Sequence, residues 1–178
     1  MMVQKKPETS QAKACATNFQ PVDPWKTEEL AVSHRNLPHL EASGATYFTT
    51  FRCRHAVNLA PQARDIVMAV FRACNGKTIE LDAAVVMPDH VHAIFRLAGS
   101  AKLSEVLRQI KGLTARRINQ SLGGTGSSLW LDESFDHIIR QEDEWQEKIE
   151  YIRNNPVKRK LVSRPEDYPW LFAREITG

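Results

Sequence analysis

The chain has 178 residues, and 24 Lys and Arg residues against 21 Asp and Glu residues give a formal net charge of +3 with histidine neutral. This length fits one ordinary domain with a tail and is ample for a hydrophobic core. Apolar residues make up 42% of the chain and charged residues 25%, which excludes wholesale disorder and a collagen-like fibre. No stretch approaches the roughly 18 consecutive apolar residues of a membrane span, so we expect no membrane partner.

Residues 1–40 differ in composition from the rest of the chain. They show no sustained helical or strand period. Their four prolines are Pro7, Pro21, Pro24 and Pro38. We interpret them as an amino-terminal arm that is partly disordered and that packs only toward its end. The remaining residues, 41–178, form the predicted domain together with a carboxy-terminal extension.

The amino terminus and the cysteines predict a cytoplasmic setting. The first residues lack the apolar core of a secretory signal peptide. Cys15, Cys53 and Cys74 are odd in number and have no C-x-x-C spacing, so neither a disulfide framework nor a cysteine-rich zinc site is indicated. We therefore expect reduced thiols in a reducing compartment.

From Gly44 onward the chain alternates between strand and helix patterns. The predicted strands cover residues 45–54, 79–87, 90–97 and 135–140. The predicted helices cover residues 61–73, 103–122 and 142–155, and Pro156 is expected to stop the last one. The order β-α-β-β-α-β-α predicts an α+β fold of the split βαβ type, with one antiparallel sheet and helices packed on one face. The other face of such a sheet is often accessible, and a site could be built there.

The segment M-P-D-H-V-H-A-I-F, residues 87–95, carries the first chemical signal. Side chains alternate along a strand, so His90 and His92 share one face while the opposite face is uniformly apolar. Two imidazoles at this spacing can converge on one metal ion, but a metal site needs a third protein ligand. The alternative is a purely structural pair. The apolar opposite face and the preceding Pro-Asp turn favour a site.

The predicted third helix carries the second signal, at Tyr151. At about 100° per residue, Trp145, Ile149 and Ile152 form the packing stripe of this helix, and Tyr151 lies roughly 120° away from it. Asn155 is one turn further on, which brings its amide near the phenol. A partly exposed tyrosine on an ordinary helix is the alternative interpretation.

A run of cations surrounds this tyrosine in the sequence. Residues 153–164 contain no acid and five basic residues, namely Arg153, Lys158, Arg159, Lys160 and Arg164. A phenol near cations and a metal ion loses its proton more readily, and a tyrosine nucleophile needs that. The weak overall charge therefore conceals a cationic patch next to Tyr151.

These residues carry a resemblance to a known family. The blocks M-P-D-H-V-H, F-D-H-I-I-R and Y-I-R-N-N-P-V-K-R-K-L-V resemble, in order and spacing, the single-tyrosine HUH (His–hydrophobic–His) transposases. The segment R-N-L-P-H-L-E-A-S-G-A-T-Y-F-T-T-F-R is similar to the start of the tyrosine transposases associated with repetitive extragenic palindromes. The resemblance extends from about residue 35 to about residue 170.

The resemblance implies a fold, an activity and roles for particular residues. The fold would be ferredoxin-like with the His-x-His pair on a central strand, and the activity would be metal-dependent cutting and rejoining of single-stranded DNA, usually at a hairpin. His90 and His92 match the metal ligands and Tyr151 matches the nucleophile, which would form a 5′-phosphotyrosine intermediate. Asn155 matches a third, polar ligand, where some relatives have Gln. His137 belongs to the family pattern but receives no role.

Partners and cofactor follow from the same resemblance. We expect Mg²⁺ or Mn²⁺ as the divalent metal, single-stranded or hairpin DNA as the partner, and a nucleoid-associated location. A monomer is favoured over a dimer with exchanged helices. The candidate DNA-contacting residues are Arg52, Arg54, Arg108, Lys111, Arg116, Arg117, Arg153, Lys158, Arg159 and Lys160. The candidates for base stacking are Phe48, Trp130 and Trp170.

Two alternative functions use the same residues differently. The first is a non-catalytic descendant of this fold that only binds DNA hairpins. The second is an unrelated metallohydrolase that uses His90, His92 and a carboxylate such as Asp89, with Tyr151 incidental. The motifs specify neither the DNA sequence recognised nor whether Tyr151 acts on the metal site of its own subunit.

Overall fold

The computed structural model of the chain describes residues 31–34, 38–41, 44–54, 57–124, 126 and 128–174. Most of the predicted amino-terminal arm therefore lies outside the described residues. Its last part contains two short antiparallel strands, β1 (Ala31–His34) and β2 (Pro38–Glu41), which the sequence patterns did not predict. The boundary between arm and domain at residue 41 stays a prediction.

Five further strands form one antiparallel sheet. They are β3 (Thr46–Cys53), β4 (Ile79–Val86), β5 (His90–Leu97), β6 (Trp130–Ile139) and β7 (Leu171–Ala173). Their order is β6-β3-β5-β4-β7, so β5 is central. β5 lies between β3 and β4, and β3 lies between β5 and β6, which gives two interleaved split βαβ units. The predicted α+β, ferredoxin-like fold is confirmed.

Three helices pack against this sheet: α1 (Pro61–Cys74), α2 (Leu103–Ser121) and α3 (Glu142–Lys158). α1 and α2 share one face, where they cover Val91, Ala93 and Phe95 of β5. α3 lies on the opposite face, where its Ile149 and Ile152 pack against a second apolar cluster, so the prediction that the helices pack on one face is wrong for α3. The sheet has apolar residues on both faces, and each face therefore needs its own cover.

α3 continues through Pro156, so the prediction that the helix stops at residue 155 is wrong. A proline at this position removes its own N–H donor from the last turn of the helix. The next donors still close the last turn, with Arg159 N–H donating to the carbonyl of Asn155 at 3.0 Å. The chain reverses only at Lys160, which has a φ of 56°.

Residues after α3 close the β4 edge of the sheet. A short 3₁₀ turn over Pro165–Asp167 leads into β7, which pairs with β4. The Tyr168 hydroxyl donates to the carbonyl of Val86 at 2.9 Å, and the Arg64 guanidinium lies 3.7 Å from the ring centroid of Trp170. These residues belong to the part of the chain predicted as a carboxy-terminal extension, and the three-residue β7 gave no recognisable strand pattern.

The remaining general expectations concern thiols and membranes. Cys53 and Cys74 are free, buried thiols, and burial is the main cause that raises the pKa of Cys53 to about 12. Cys15 lies outside the described residues. Within the described part of the chain, none of the helices has the length and apolar character needed to cross a bilayer.

Candidate active site

The two histidines of β5 lie side by side on the sheet face that α3 covers. His90 is 2% exposed and His92 is 5% exposed, and their ring centroids are 4.6 Å apart. Val91 and Ala93 point into the opposite cluster under α1 and α2, as the alternating pattern predicts. The strand thus holds two imidazoles in adjacent positions on one face.

Each imidazole has a fixed partner on its Nδ1 atom. Nδ1 of His90 lies 2.6 Å from Oδ1 of Asp89, and Nδ1 of His92 lies 2.7 Å from Oγ1 of Thr50. When each Nδ1–H is donated to these oxygens, both Nε2 atoms keep their lone pairs. Such partners orient a metal-binding histidine and raise its basicity as a ligand. Thr50 was not among the sequence candidates, because its place opposite His92 depends on the register between β3 and β5.

Burial keeps these histidines neutral. Loss of solvation is the main cause that lowers the pKa of His92 to about 3, with a further contribution from neighbouring His90. Burial also lowers the pKa of His90, although the carboxylate of Asp89 opposes this. Burial alone would raise the pKa of Asp89, but the hydrogen bond with His90 and the charge of Arg159 bring it below its ordinary value. Neutral imidazoles are the form that binds metal ions.

Tyr151 reaches the histidine pair from α3. Its hydroxyl lies 3.5 Å from Nε2 of His92, and its ring packs edge-on against His92 and Phe48. Phe48 is also stacked on the His92 ring, with centroids 5.5 Å apart. Tyr151 is 38% exposed, while these contacts hold its ring in place. Lys158 adds a positive charge 5.5 Å from the Tyr151 ring centroid.

Asn155 supplies an unsatisfied oxygen one helical turn beyond Tyr151. Its side chain is 6% exposed, and its Oδ1 has no hydrogen-bond partner among the described residues. A buried acceptor without a partner is unfavourable, so such a group indicates a missing ligand, ion or water. The described residues contain no group of three His, Cys, Asp and Glu side chains that could hold a metal. Neutral imidazole nitrogens and an amide oxygen are both donor types that divalent metal ions accept.

The structure brings some of the predicted cations to this site. Arg52 is exposed and stands opposite His90 in the pairing of β3 and β5. Arg159 lies 3.6 Å from Asp89, and Arg153 lies 3.7 Å from Glu150. The run that lacks acids in the sequence thus has acidic neighbours in space.

Other predicted cations lie elsewhere. α2, which carries Arg108, Lys111, Arg116 and Arg117, covers the face of the sheet opposite the histidines. Arg54 lies 3.4 Å from Asp132, near the start of β6. A role for these residues in DNA binding stays a prediction.

The aromatic candidates for base stacking are largely engaged within the protein. Phe48 and Trp130 are buried, and the Trp130 indole donates to Oγ1 of Thr114 at 2.9 Å. One face of Trp170 carries the guanidinium of Arg64. Phe135, which was not a candidate, is instead the exposed phenylalanine on the histidine side of the sheet.

The fold and this site define the class of protein. A buried histidine pair on the central strand of a split βαβ sheet, with a tyrosine hydroxyl against it, is the arrangement expected for the transposase class that the sequence motifs indicate. Residues 48–155, which include His90, His92, Tyr151 and Asn155, match the family model described as "Transposase IS200 like". The chain therefore belongs to the IS200-like transposase family, whose members are enzymes that cut and join DNA.

Individual relatives support the same assignment. The chain is 28% identical over 137 residues to a REP-associated tyrosine transposase of Escherichia coli (strain K12), covering 75% of this chain and 79% of the relative. It is 24% identical over 145 residues to a putative REP-associated tyrosine transposase of Haemophilus influenzae (strain ATCC 51907 / DSM 11121 / KW20 / Rd), covering 75% and 82%. A solved structure of a REP-associated tyrosine transposase bound to a REP hairpin matches with a TM-score of 0.60 at 25% identity, covering 78% of this chain and 81% of that one. The resemblance drawn from the motifs is confirmed.

Proposed function

We propose that this protein nicks and rejoins single-stranded DNA in a metal-dependent reaction with Tyr151 as the nucleophile. The observation that supports this most directly is the 3.5 Å separation between the Tyr151 hydroxyl and Nε2 of His92. Tyr151 is the tyrosine of α3, and this contact brings its hydroxyl to the histidine pair. Membership of the transposase family makes a DNA phosphodiester the bond to be attacked.

The proposed metal ligands are Nε2 of His90, Nε2 of His92 and Oδ1 of Asn155. A bound Mg²⁺ or Mn²⁺ ion would polarise the scissile phosphate and stabilise negative charge on the leaving 3′ oxygen. Asp89 and Thr50 orient the two imidazoles through their Nδ1 atoms. Asn155 presents an oxygen that has no other partner among the described residues.

The covalent step proceeds through the phenol. The Tyr151 hydroxyl oxygen attacks phosphorus as its proton passes to solvent, the bond from phosphorus to the 3′ oxygen breaks, and the 3′ oxygen takes up a proton from solvent. The 5′ end is then held as a phosphotyrosine, which stores the energy of the broken bond. Attack by a 3′-OH on this phosphotyrosine restores a phosphodiester and releases the tyrosine. Lys158, beside the Tyr151 ring, and Arg52, opposite His90, would supply positive charge to the phosphate.

Hairpin DNA is the proposed partner. One solved relative, similar to this chain over 78% of its length, is a transposase bound to a REP hairpin. The exposed cations around the site, including Arg52 and Lys158, suit a phosphate backbone. We further propose that the protein acts as a monomer, since Tyr151 reaches His92 of its own chain.

The two alternatives fit the geometry less well. In the hydrolase alternative Asp89 would bind the metal, yet both of its carboxylate oxygens face partners, Oδ1 toward His90 and Oδ2 toward Arg159. A non-catalytic descendant would have no need to keep a phenol, two neutral imidazoles and an unpartnered amide oxygen together.

A covalent adduct tests the proposal. The protein is incubated with a labelled library of DNA hairpins with randomised single-stranded flanks, in Mg²⁺, in Mn²⁺ or in EDTA, and analysed on a denaturing gel. We expect a metal-dependent adduct that is absent in Tyr151→Phe and in His90→Ala. Tyr168→Phe is the matched control, because Tyr168 is buried at the carboxy-terminal extension and should leave the adduct intact.

The other outcomes identify the alternatives. An adduct that persists in Tyr151→Phe would disprove the nucleophile assignment. DNA binding without cleavage under every metal would favour the non-catalytic descendant. Cleavage without any adduct would favour a hydrolase.

A further inference from the structure

Phe135 is an exposed aromatic side chain in the middle of β6. Its surface is 55% exposed, which is unusual for phenylalanine on a sheet. β6 is the end strand of the five-stranded sheet, and Phe135 stands opposite Thr50 on β3. Thr50 in turn stands opposite His92 on β5. Phe135, Thr50 and His92 therefore form one row across the sheet, on the face that carries the histidines.

The spacing of this row sets the distance to the site. Neighbouring strands lie about 4.8 Å apart, so the backbone at Phe135 is about 10 Å from that at His92. Such a distance places Phe135 within one or two nucleotides of a phosphate held at the histidine pair. It is too far for Phe135 to contact the reacting atoms themselves.

Phe135 and Tyr151 flank the same buried ring. The Phe135 ring meets Phe48 edge-on at 6.4 Å, and Tyr151 meets Phe48 edge-on at 6.0 Å. Among the described residues the exposed large hydrophobic side chains are Leu122, Phe135, Tyr151 and Leu161. The two aromatic ones thus both lie on Phe48, beside the site. The exposed part of the Phe135 ring adds little to the hydrophobic core, because only apolar surface removed from water stabilises the fold. The stability of the fold therefore does not explain why an exposed ring lies at this position.

We propose that Phe135 is a stacking platform for an unpaired base of the DNA strand whose phosphate is held at Tyr151. This inference rests on the proposed function. A single flat ring offers the area of one base, and every base has a π face that can cover it. The edge-on contact with Phe48 restricts the orientation of the Phe135 ring, which reduces the conformational entropy lost when a base binds. Phe135 is a binding residue that determines which nucleotide near the cut is held flat, and it takes no part in bond breaking.

Stacking should dominate the effect of substitutions at this position. Removal of one base-stacking ring weakens binding of single-stranded DNA by roughly 5- to 150-fold. We expect Phe135→Ala and Phe135→Leu to lose affinity in this range, and Phe135→Trp to retain it. Phe135→Leu keeps apolar bulk on the strand, so it separates stacking from folding. Leu122→Ala, at the end of α2, is the control for loss of an exposed apolar side chain and should leave affinity unchanged.

An abasic scan tests the proposal. Binding is measured by fluorescence anisotropy in a Tyr151→Phe background, so that no cleavage occurs, with a hairpin selected from the randomised library described above. Single bases near the cleavage position are removed one at a time. We expect one abasic position to weaken binding about as much as Phe135→Ala does, and to cause no further loss when Phe135 is already alanine.

The outcomes distinguish this inference from the proposed function. If the protein selects and cleaves DNA but every abasic penalty is the same with Phe135 and with alanine, the stacking platform is disproved and the proposed function stands. Retention of full affinity in Phe135→Leu would also disprove it. If no DNA is bound or cleaved, the proposed function fails and this inference fails with it.

Discussion

The hydroxyl of Tyr151 lies 3.5 Å from Nε2 of His92, although the two residues are 59 positions apart in the chain. α3 achieves this by packing Ile149 and Ile152 on the sheet face that also carries the histidines. The phenol is therefore positioned by the apolar contacts of its own helix. A single chain contains the complete set of candidate catalytic groups.

Action within one chain predicts the result of mixing two inactive variants. Tyr151→Phe and His90→Ala should each abolish the covalent adduct, and an equimolar mixture should also form none. Adduct formation by the mixture on the denaturing gel would instead show that the tyrosine of one subunit serves the histidines of another. A mixture of wild type with Tyr151→Phe serves as the control, with adduct in proportion to the wild-type share.

Asn155→Leu should affect metal binding and stability in opposite directions. Loss of a ligand oxygen should weaken Mn²⁺ binding by about tenfold or more, as isothermal titration calorimetry would measure. The metal-free protein should unfold at a higher urea concentration, because a buried acceptor without a partner costs about 1–3 kcal/mol and leucine has a similar volume. A variant that binds Mn²⁺ normally would exclude Asn155 as a ligand.

Asp89→Asn should weaken metal binding without removing a ligand. Asp89 accepts the hydrogen bond from Nδ1 of His90 at 2.6 Å, and its carboxylate strengthens the opposite nitrogen as a ligand. We expect a loss of about 10- to 100-fold in Mn²⁺ affinity. The matched control is Asp132→Asn, a carboxylate paired with Arg54 away from the histidines, which should leave Mn²⁺ affinity unchanged. Equal effects of the two substitutions would contradict the role of Asp89.

The buried carboxyl of Asp82 should make the stability of the folded protein depend on pH. Burial is the main cause that raises the pKa of Asp82, against the Trp145 indole hydrogen bond and the charge of Arg174. The folded state thus holds a proton on Asp82 more tightly than the unfolded state does. This contribution to stability is present below the unfolded pKa of about 3.8 and is lost as the pH rises through the higher folded pKa.

The variant Asp82→Asn removes the free-energy cost of burying an ionised carboxylate, while it keeps an oxygen that accepts the hydrogen bond of the Trp145 indole. Relative to wild type it should be more stable at pH 7 than at pH 3.5, as urea unfolding at the two pH values would show. A wild-type advantage that grows toward pH 7 would indicate that the ion pair with Arg174 outweighs the cost of burial.

The contact between His137 and Glu144 should contribute a measurable interaction energy to folding, although the motif assigned His137 no role. Nε2 of His137 lies 2.5 Å from Oε1 of Glu144, and Oε2 of Glu144 accepts the backbone N–H of Arg140 at 3.2 Å. These contacts tie the start of α3 to β6. A double-mutant cycle with His137→Ala and Glu144→Ala should give a coupling of about 0.5–1 kcal/mol, since the pair is partly exposed. A coupling of zero would show that the pair does not anchor the helix.

Local periodicity in the sequence correctly predicted most helices and strands of this fold and the relative positions of several site residues. The predicted segments 79–87, 90–97 and 103–122 match β4, β5 and α2 to within one residue at each end. The same periodicity placed His90 and His92 on one face, and it placed Asn155 one turn from Tyr151. These predictions succeeded because the direction of each side chain along a strand or a helix depends only on its spacing from nearby residues.

The less regular parts could not be derived in that way. Pro156 has the usual signature of a helix stop, yet it is buried in the last turn of α3, where packing and the following hydrogen bonds outweigh its local preference. β6 begins at Trp130 rather than at residue 135, because its first half is defined by irregular pairing with β3. β7 exists as a strand only through its contact with β4.

The sequence by itself determined the order of the elements from β3 to α3, the candidate metal-ligand residue types and the family, because these depend on short-range patterns and on motifs in a fixed order. Only the tertiary structure decided that α3 covers the histidine face and that α2 carries its cations on the other. It likewise decided that Thr50 orients His92, and that Phe135 rather than Phe48 presents an exposed ring. These relationships join residues that are far apart in the chain, and their geometry follows from strand register and from which face each helix packs on.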